Sequence, residues 1–98
     1  MRLIVVSLGT ILRRVVSKRL EQMRTNPAGD WGITDVEALC REYKIECRTN
    51  RSGGSHYKVS HASRREILTI PFKRPIKPVH IRALVEFVDA VRTSHEEP

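Results

Sequence analysis

The sequence predicts an α+β fold in which a three-stranded antiparallel sheet packs on helices. Three observations predict it. Segments with apolar residues three and four apart lie on both sides of a middle stretch in which apolar and polar residues alternate. A change of period from 3.6 to 2 marks helices around a sheet. The connections between the alternating segments are short, which favours antiparallel neighbours. The chain has 98 residues, enough for one domain with a modest core. A domain of this size buries about 60–65% of its unfolded surface and gains from a partner.

Residues 17–24, Ser17-Lys18-Arg19-Leu20-Glu21-Gln22-Met23-Arg24, have helical composition with Leu20 and Met23 three apart, and Asn26-Pro27-Ala28-Gly29-Asp30 ends the pattern. Thr34 followed by Glu37 is the reciprocal capping arrangement, with Ile33 and Ala38 placed for the accompanying apolar contact. Val36, Leu39, Cys40 and Tyr43 then define one face of a helix over residues 35–44. Ile45-Glu46-Cys47-Arg48-Thr49 alternates and reads as a strand covered on one side. Asn50-Arg51-Ser52-Gly53-Gly54 is a loop. A second strand, residues 55–60, sends Tyr57 and Val59 to one face and His56 and Lys58 to the other. A turn through Arg65 leads to a third strand, residues 66–70, ended by Pro71. Phe72-Lys73-Arg74-Pro75-Ile76-Lys77 is a basic connector, and Pro78 suits the first turn of a helix because its missing N–H has no partner to lose there. Ile81, Leu84, Val85, Val88 and Val91 form an amphipathic stripe that packs across the sheet. The division expected is an N-terminal extension (1–17), a folded core (18–92) and a frayed polar tail (93–98).

The apolar run from Leu3 to Leu12 lacks a small-residue cleavage site, is followed by Arg13-Arg14, and falls short of the ~20 residues a membrane-spanning helix needs. It reads as an additional strand or helix, or as extra sequence ahead of the natural start. Cys40 and Cys47 come without a second pair or a histidine at finger spacing, so they read as small buried hydrophobes in a reducing cytoplasm rather than as a zinc site or a disulfide.

The formal charge is +7 and unevenly placed: residues 50–82 carry eight Lys/Arg against one acid, Glu66, and residues 83–98 carry one against four. Such a field attracts polyanions through phosphate neutralisation and counterion release, so nucleic acid is the expected partner. The alternative is a solvated basic surface with no ligand. Within this third, Gly53-Gly54-Ser55-His56-Tyr57-Lys58-Val59 places a turn directly before a histidine at the mouth of a strand. A glycine pair there lets backbone turn sharply or approach another molecule closely.

The order of helix, three antiparallel strands and helix, with an added N-terminal helix, is the layout of a double-stranded-RNA-binding fold. From about Lys18 to Val91 the chain also resembles the HicA toxins of bacterial type II toxin-antitoxin systems, small mRNA interferases with that fold. The likeness is carried by Gly54-Ser55-His56 opening the second strand, Leu68-Thr69-Ile70-Pro71 closing the third, and Arg74-Pro75-Ile76-Lys77-Pro78 entering the last helix. The resemblance implies that the histidine after Gly-Ser, here His56, is catalytic, and that a HicB-type antitoxin binds the protein and masks its active surface. Many members carry a second histidine directly after the first; this chain has Tyr57.

The chemistry agrees with that implication. RNA supplies its own nucleophile, the 2′-hydroxyl, so cleavage needs a base for its proton, cations on the phosphate and an in-line arrangement. Imidazole, with a free pKa of about 6.5, is suited to the first task. Gly53, Gly54 and Ser55 are expected to approach the RNA backbone, and Lys58, Lys73, Arg74 and Lys77 to contact phosphate. No acidic cluster suited to magnesium stands in the basic third, so cleavage without metal or cofactor is expected. His61 reads as a solvated turn residue, His80 as structural, and His95 as part of the tail. Tyr43 and Tyr57 read as core aromatics and Trp31 as a lid on the core, although an exposed tryptophan would suit an antitoxin interface. Two other classes share the same features: a non-catalytic double-stranded-RNA-binding module, for which Lys73, Arg74 and Lys77 supply the basic helix start, and an interaction domain for an acidic protein.

Overall fold

The computed structural model describes residues 16–49, 56–71 and 73–96, with residues 95 and 96 described by backbone alone. The expected N-terminal element and the Gly53-Gly54-Ser55 turn lie outside the described residues. Three helices and three strands follow in the order α1 (Lys18–Thr25), α2 (Ile33–Glu42), β1 (Glu46–Thr49), β2 (His56–Ser60), β3 (Leu68–Pro71) and α3 (Pro78–Glu96). The strands form one antiparallel sheet in the order β1-β2-β3. The architecture is α+β.

Local chemistry sets each boundary. Ser17 caps α1, its hydroxyl accepting from the Leu20 N–H at 3.0 Å, and the Tyr43 hydroxyl accepts the N–H of Ser17 itself at 2.8 Å. The start of α1 is thereby tied to the end of α2, and an Arg19–Glu42 ion pair spans the same junction. The helix expected over residues 35–44 begins and ends two residues earlier, at Ile33 and Glu42. Gly32 is extended, and the Asp35 carboxylate reaches back to accept its N–H at 2.9 Å. The i, i+3 signature is therefore Gly32 with Asp35 and not Thr34 with Glu37, because only the former places a carboxylate opposite an unsatisfied backbone donor.

At the other end of α2, Lys44 takes φ 58°, and the N–H groups of Ile45 and Lys44 close on the carbonyls of Cys40 (2.8 Å) and Arg41 (3.3 Å). This is a Schellman closure. A lysine fills the left-handed position normally given to glycine, at a cost of about 1–2 kcal/mol. Burial of Ile45, 5% exposed, offsets it.

Register places Cys47, Thr49, Tyr57, Val59, Leu68 and Ile70 on one face of the sheet, and Glu46, Arg48, His56, Lys58, Ser60, Thr69 and Pro71 on the other. The helices lie on the first face, α2 packing against β1 and α3 against β3, with α1 packed against both helices. Leu20 and Met23 of α1, Val36, Leu39 and Cys40 of α2, Val59 and Ile70 of the sheet, and the complete expected stripe of α3 join one buried cluster. Ile76 of the connector and Phe87 belong to it as well. β3 begins two residues later than expected, leaving Ile67 exposed. The helix expected to fray after Arg92 continues to Glu96, since no glycine or proline interrupts 93–96 and the Thr93 hydroxyl donates to the Asp89 carbonyl.

Arg24 binds Asp89 through two hydrogen bonds, at 2.7 and 2.9 Å, tying α1 to α3. The same hydrogen bonds hold the Asp89 carboxyl below the usual aspartate range, against the opposing effect of its partial burial. Stabilisation from this pair is present above an unfolded aspartate pKa of about 3.9 and is lost as pH falls through the lower folded value.

Ile70→Ala is expected to cost about 2–5 kcal/mol of stability by leaving a cavity, whereas Ile67→Ala is expected to stay within about 0.5 kcal/mol. Urea unfolding of the two variants checks this, and equal losses would contradict the register of β3.

Candidate functional site on the open sheet face

With every helix on one side, the other side of the sheet faces solvent. β2 runs through its middle. Because Tyr57 and Val59 turn toward the core, His56 and Lys58 point outward together, as the alternation predicts, and both are exposed. Arg48 lies opposite Lys58 on β1 and Thr69 opposite it on β3, forming one cross-strand row. His56 belongs to the next row, opposite Pro71, and its carbonyl accepts from the Thr49 hydroxyl at 3.4 Å. Glu46 begins the row beyond Arg48, where it ion-pairs with Arg48 and accepts from the Ser60 hydroxyl at 3.4 Å.

The connector leaves β3 at the end of the sheet where His56 stands, because Pro71 is the register partner of His56. Lys73 and Lys77 of this connector are exposed. Arg74 is differently placed. Its guanidinium binds Asp30 at 3.0 and 3.2 Å, which raises its pKa, and its side chain lies beside Gly32 at the start of α2. The Ile76 N–H donates to the Trp31 carbonyl at 2.9 Å, so the connector is fastened to the loop before α2. Arg64 is likewise paired, with Glu66, whose carboxyl it lowers. The sites expected from the sequence thus separate. His56 and Lys58 share an open face, Lys73 and Lys77 flank it in the chain, and Arg74 holds the fold together. Gly53, Gly54 and Ser55 lie outside the described residues.

Arg48 was not among the expected contacts. Alternation alone turns it outward, but its position opposite Lys58 depends on the β1–β2 register, which the length of the intervening loop leaves open in a sequence. The remaining histidines stand apart. The His61 Nδ1 accepts the Ser63 N–H at 3.0 Å in the turn after β2. His61 lines an open depression of about 580 Å³ with Lys44, Glu46, Ser60 and Ala62, at the end of β2 away from His56. His80 is half-buried in the first turn of α3. Trp31 packs against the core and donates from Nε1 to the Asn26 carbonyl at 2.8 Å. A Cβ on Gly29 would come within 2.9 Å of Asn26 Nδ2 and 3.1 Å of Trp31 Nε1, so a side chain there would crowd this lid. Desolvation, followed by the nearby Glu37, raises the pKa of the Tyr57 phenol on the core side of the sheet.

Cys40 and Cys47 are free thiols, buried and half-buried respectively. Interaction with its neighbour lowers the pKa of Cys47 and, together with burial, raises that of Cys40. Among the described residues, no cluster of three or more histidine, cysteine or acidic side chains is placed to hold a metal ion, and no helix is long and apolar enough to cross a membrane.

No family model, curated protein or solved structure matches this chain. The case for the site rests on its own residues.

Brief alkylation of the native protein is expected to modify Cys47 and spare Cys40, since the thiolate is the reactive form and only Cys47 is both reachable and stabilised as one. Peptide mass spectrometry reads the result, and equal labelling of both thiols in folded protein would contradict the arrangement.

Proposed function

We propose that this protein is an endoribonuclease toxin of a type II toxin-antitoxin system, similar to the HicA mRNA interferases and built on a double-stranded-RNA-binding-like fold. The observation that carries the reading is the placement of His56: exposed, at the start of the central strand, on the uncovered face of the sheet, with Lys58 and Arg48 in the adjacent row. At the end of a strand, on a face that no helix covers, the imidazole is exposed and a ribose can approach it.

In the proposed reaction His56 takes the proton of the 2′-hydroxyl as the 2′-oxygen attacks phosphorus. The bond from phosphorus to the 5′-oxygen breaks opposite, and the departing oxygen takes a proton from water. The products are a 2′,3′-cyclic phosphate and a 5′-hydroxyl. The nearby cations stabilise the charge that develops on the phosphoryl oxygens. One positioned base contributes about 10²–10⁴-fold, enough for a slow nuclease. Lys73 and Lys77 extend the phosphate contacts along the connector. A HicB-type antitoxin, acidic where it meets this surface, would cover the open face and exclude RNA from it.

Expression of the wild-type chain alone is expected to arrest growth and leave transcripts with 5′-hydroxyl ends. His56→Ala is expected to retain the wild-type melting profile while cleavage falls by about 10²–10⁴-fold. Equal cleavage by the alanine variant would overturn the role of His56. Purified wild-type protein that retards RNA on a gel yet leaves it intact would favour the non-catalytic RNA-binding module instead.

A further inference from the structure

Arg48 and Lys58 are register partners on neighbouring strands, pointing to the same solvent-facing side. Directly opposed residues of an antiparallel pair hold their Cβ atoms about 4.5–5.5 Å apart, and like charges there are destabilising. Arg48 is 75% exposed, so its position is not imposed by packing. Glu46 offsets part of the repulsion by pairing with Arg48, but no carboxylate among the described residues pairs with Lys58. Thr69 completes the row with a hydroxyl and adds no negative charge. Two cations and a hydroxyl side by side in one cross-strand row of an open face are complementary to a tetrahedral anion.

The next row holds His56, two residues from Lys58 and hence about 6.6–6.8 Å along the strand. That separation is comparable to the step between successive phosphates of an extended nucleic-acid strand. The open face carries no Phe, Tyr or Trp among the described residues, because Tyr57 lies on the core side.

We propose that Arg48 and Lys58 form a phosphate clamp for single-stranded RNA lying along β2, holding the phosphate next to the one at His56, with Glu46 occupying Arg48 when RNA is absent. An extended strand fits this row spacing and can rotate its 2′-oxygen into line for attack, which an A-form duplex resists. Arg48 is a binding and positioning residue, and its assignment rests on the reading of this face as the RNA surface.

The test uses the full chain and a single-stranded 2′-O-methyl oligoribonucleotide, which lacks the nucleophile and stays intact, with binding followed by fluorescence anisotropy between about 50 and 200 mM salt. Arg48→Gln is expected to weaken binding about tenfold at the low end and to flatten the salt dependence by about 0.7–1 in log-log slope, the loss of one phosphate contact. Arg48→Lys is expected to keep the slope. Arg82→Gln, which removes the same charge from α3 behind the sheet, is expected to leave the slope unchanged. Glu46→Gln is expected to tighten binding by releasing Arg48. An unchanged slope in Arg48→Gln overturns the clamp, and if that variant does not fold, unchanged or weaker binding by Glu46→Gln overturns it. A chain that binds with these slopes yet never cleaves natural RNA keeps the clamp and loses the nuclease reading. Cleavage that depends on His56 with no effect of Arg48 on binding does the reverse.

Discussion

Everything in this small fold depends on burying one face of a three-stranded sheet and leaving the other bare. Val59 and Ile70 are fully buried in one cluster with side chains from all three helices, and the apolar stripe of α3 belongs to the same core. Each such side chain contributes about 1.5–3 kcal/mol through burial, so the sheet cannot turn over without losing the core. Because strand side chains alternate strictly, the decision that sends Val59 inward also sends Lys58 and His56 outward. The proposed chemistry is thus attached to the core by a rule of backbone geometry.

The charged residues divide between holding the fold and facing solvent. Arg24 with Asp89, Arg19 with Glu42 and Arg74 with Asp30 join elements distant in sequence. Partly exposed ion pairs of this kind contribute modestly, and their effect lies in fixing how helices and connector sit. Lys58, by contrast, stands opposite another cation. That juxtaposition on the open side, only partly offset by Glu46, is the physical basis of the RNA-directed reading proposed above.

The periodic parts of this architecture were legible in the residues alone. The stripe from Ile81 to Val91 and the alternation around Val59 are dictated by burial, and burial is what periodicity records. Features set by single backbone groups were not. Gly32 caps α2 in place of Thr34 because the Asp35 carboxylate finds its N–H, and Lys44 ends that helix in a conformation for which glycine is the usual signal. Arg74 carries the same charge as Lys73, yet Asp30, 44 residues away in the chain, claims it. The outward turn of His56 could be read from its neighbours, whereas the place of Arg48 beside Lys58 required the pairing of two strands.

The most direct test of this account is an NMR titration of the isotopically labelled full chain with a single-stranded oligoribonucleotide blocked at its 2′-oxygens. The account predicts that resonances of Arg48, His56, Lys58 and Thr69 shift together, while those of Leu39, Leu84 and Val88 on the covered side stay in place. Shifts concentrated on the outer surfaces of α1 and α3, with the His56 ring unmoved, would contradict it.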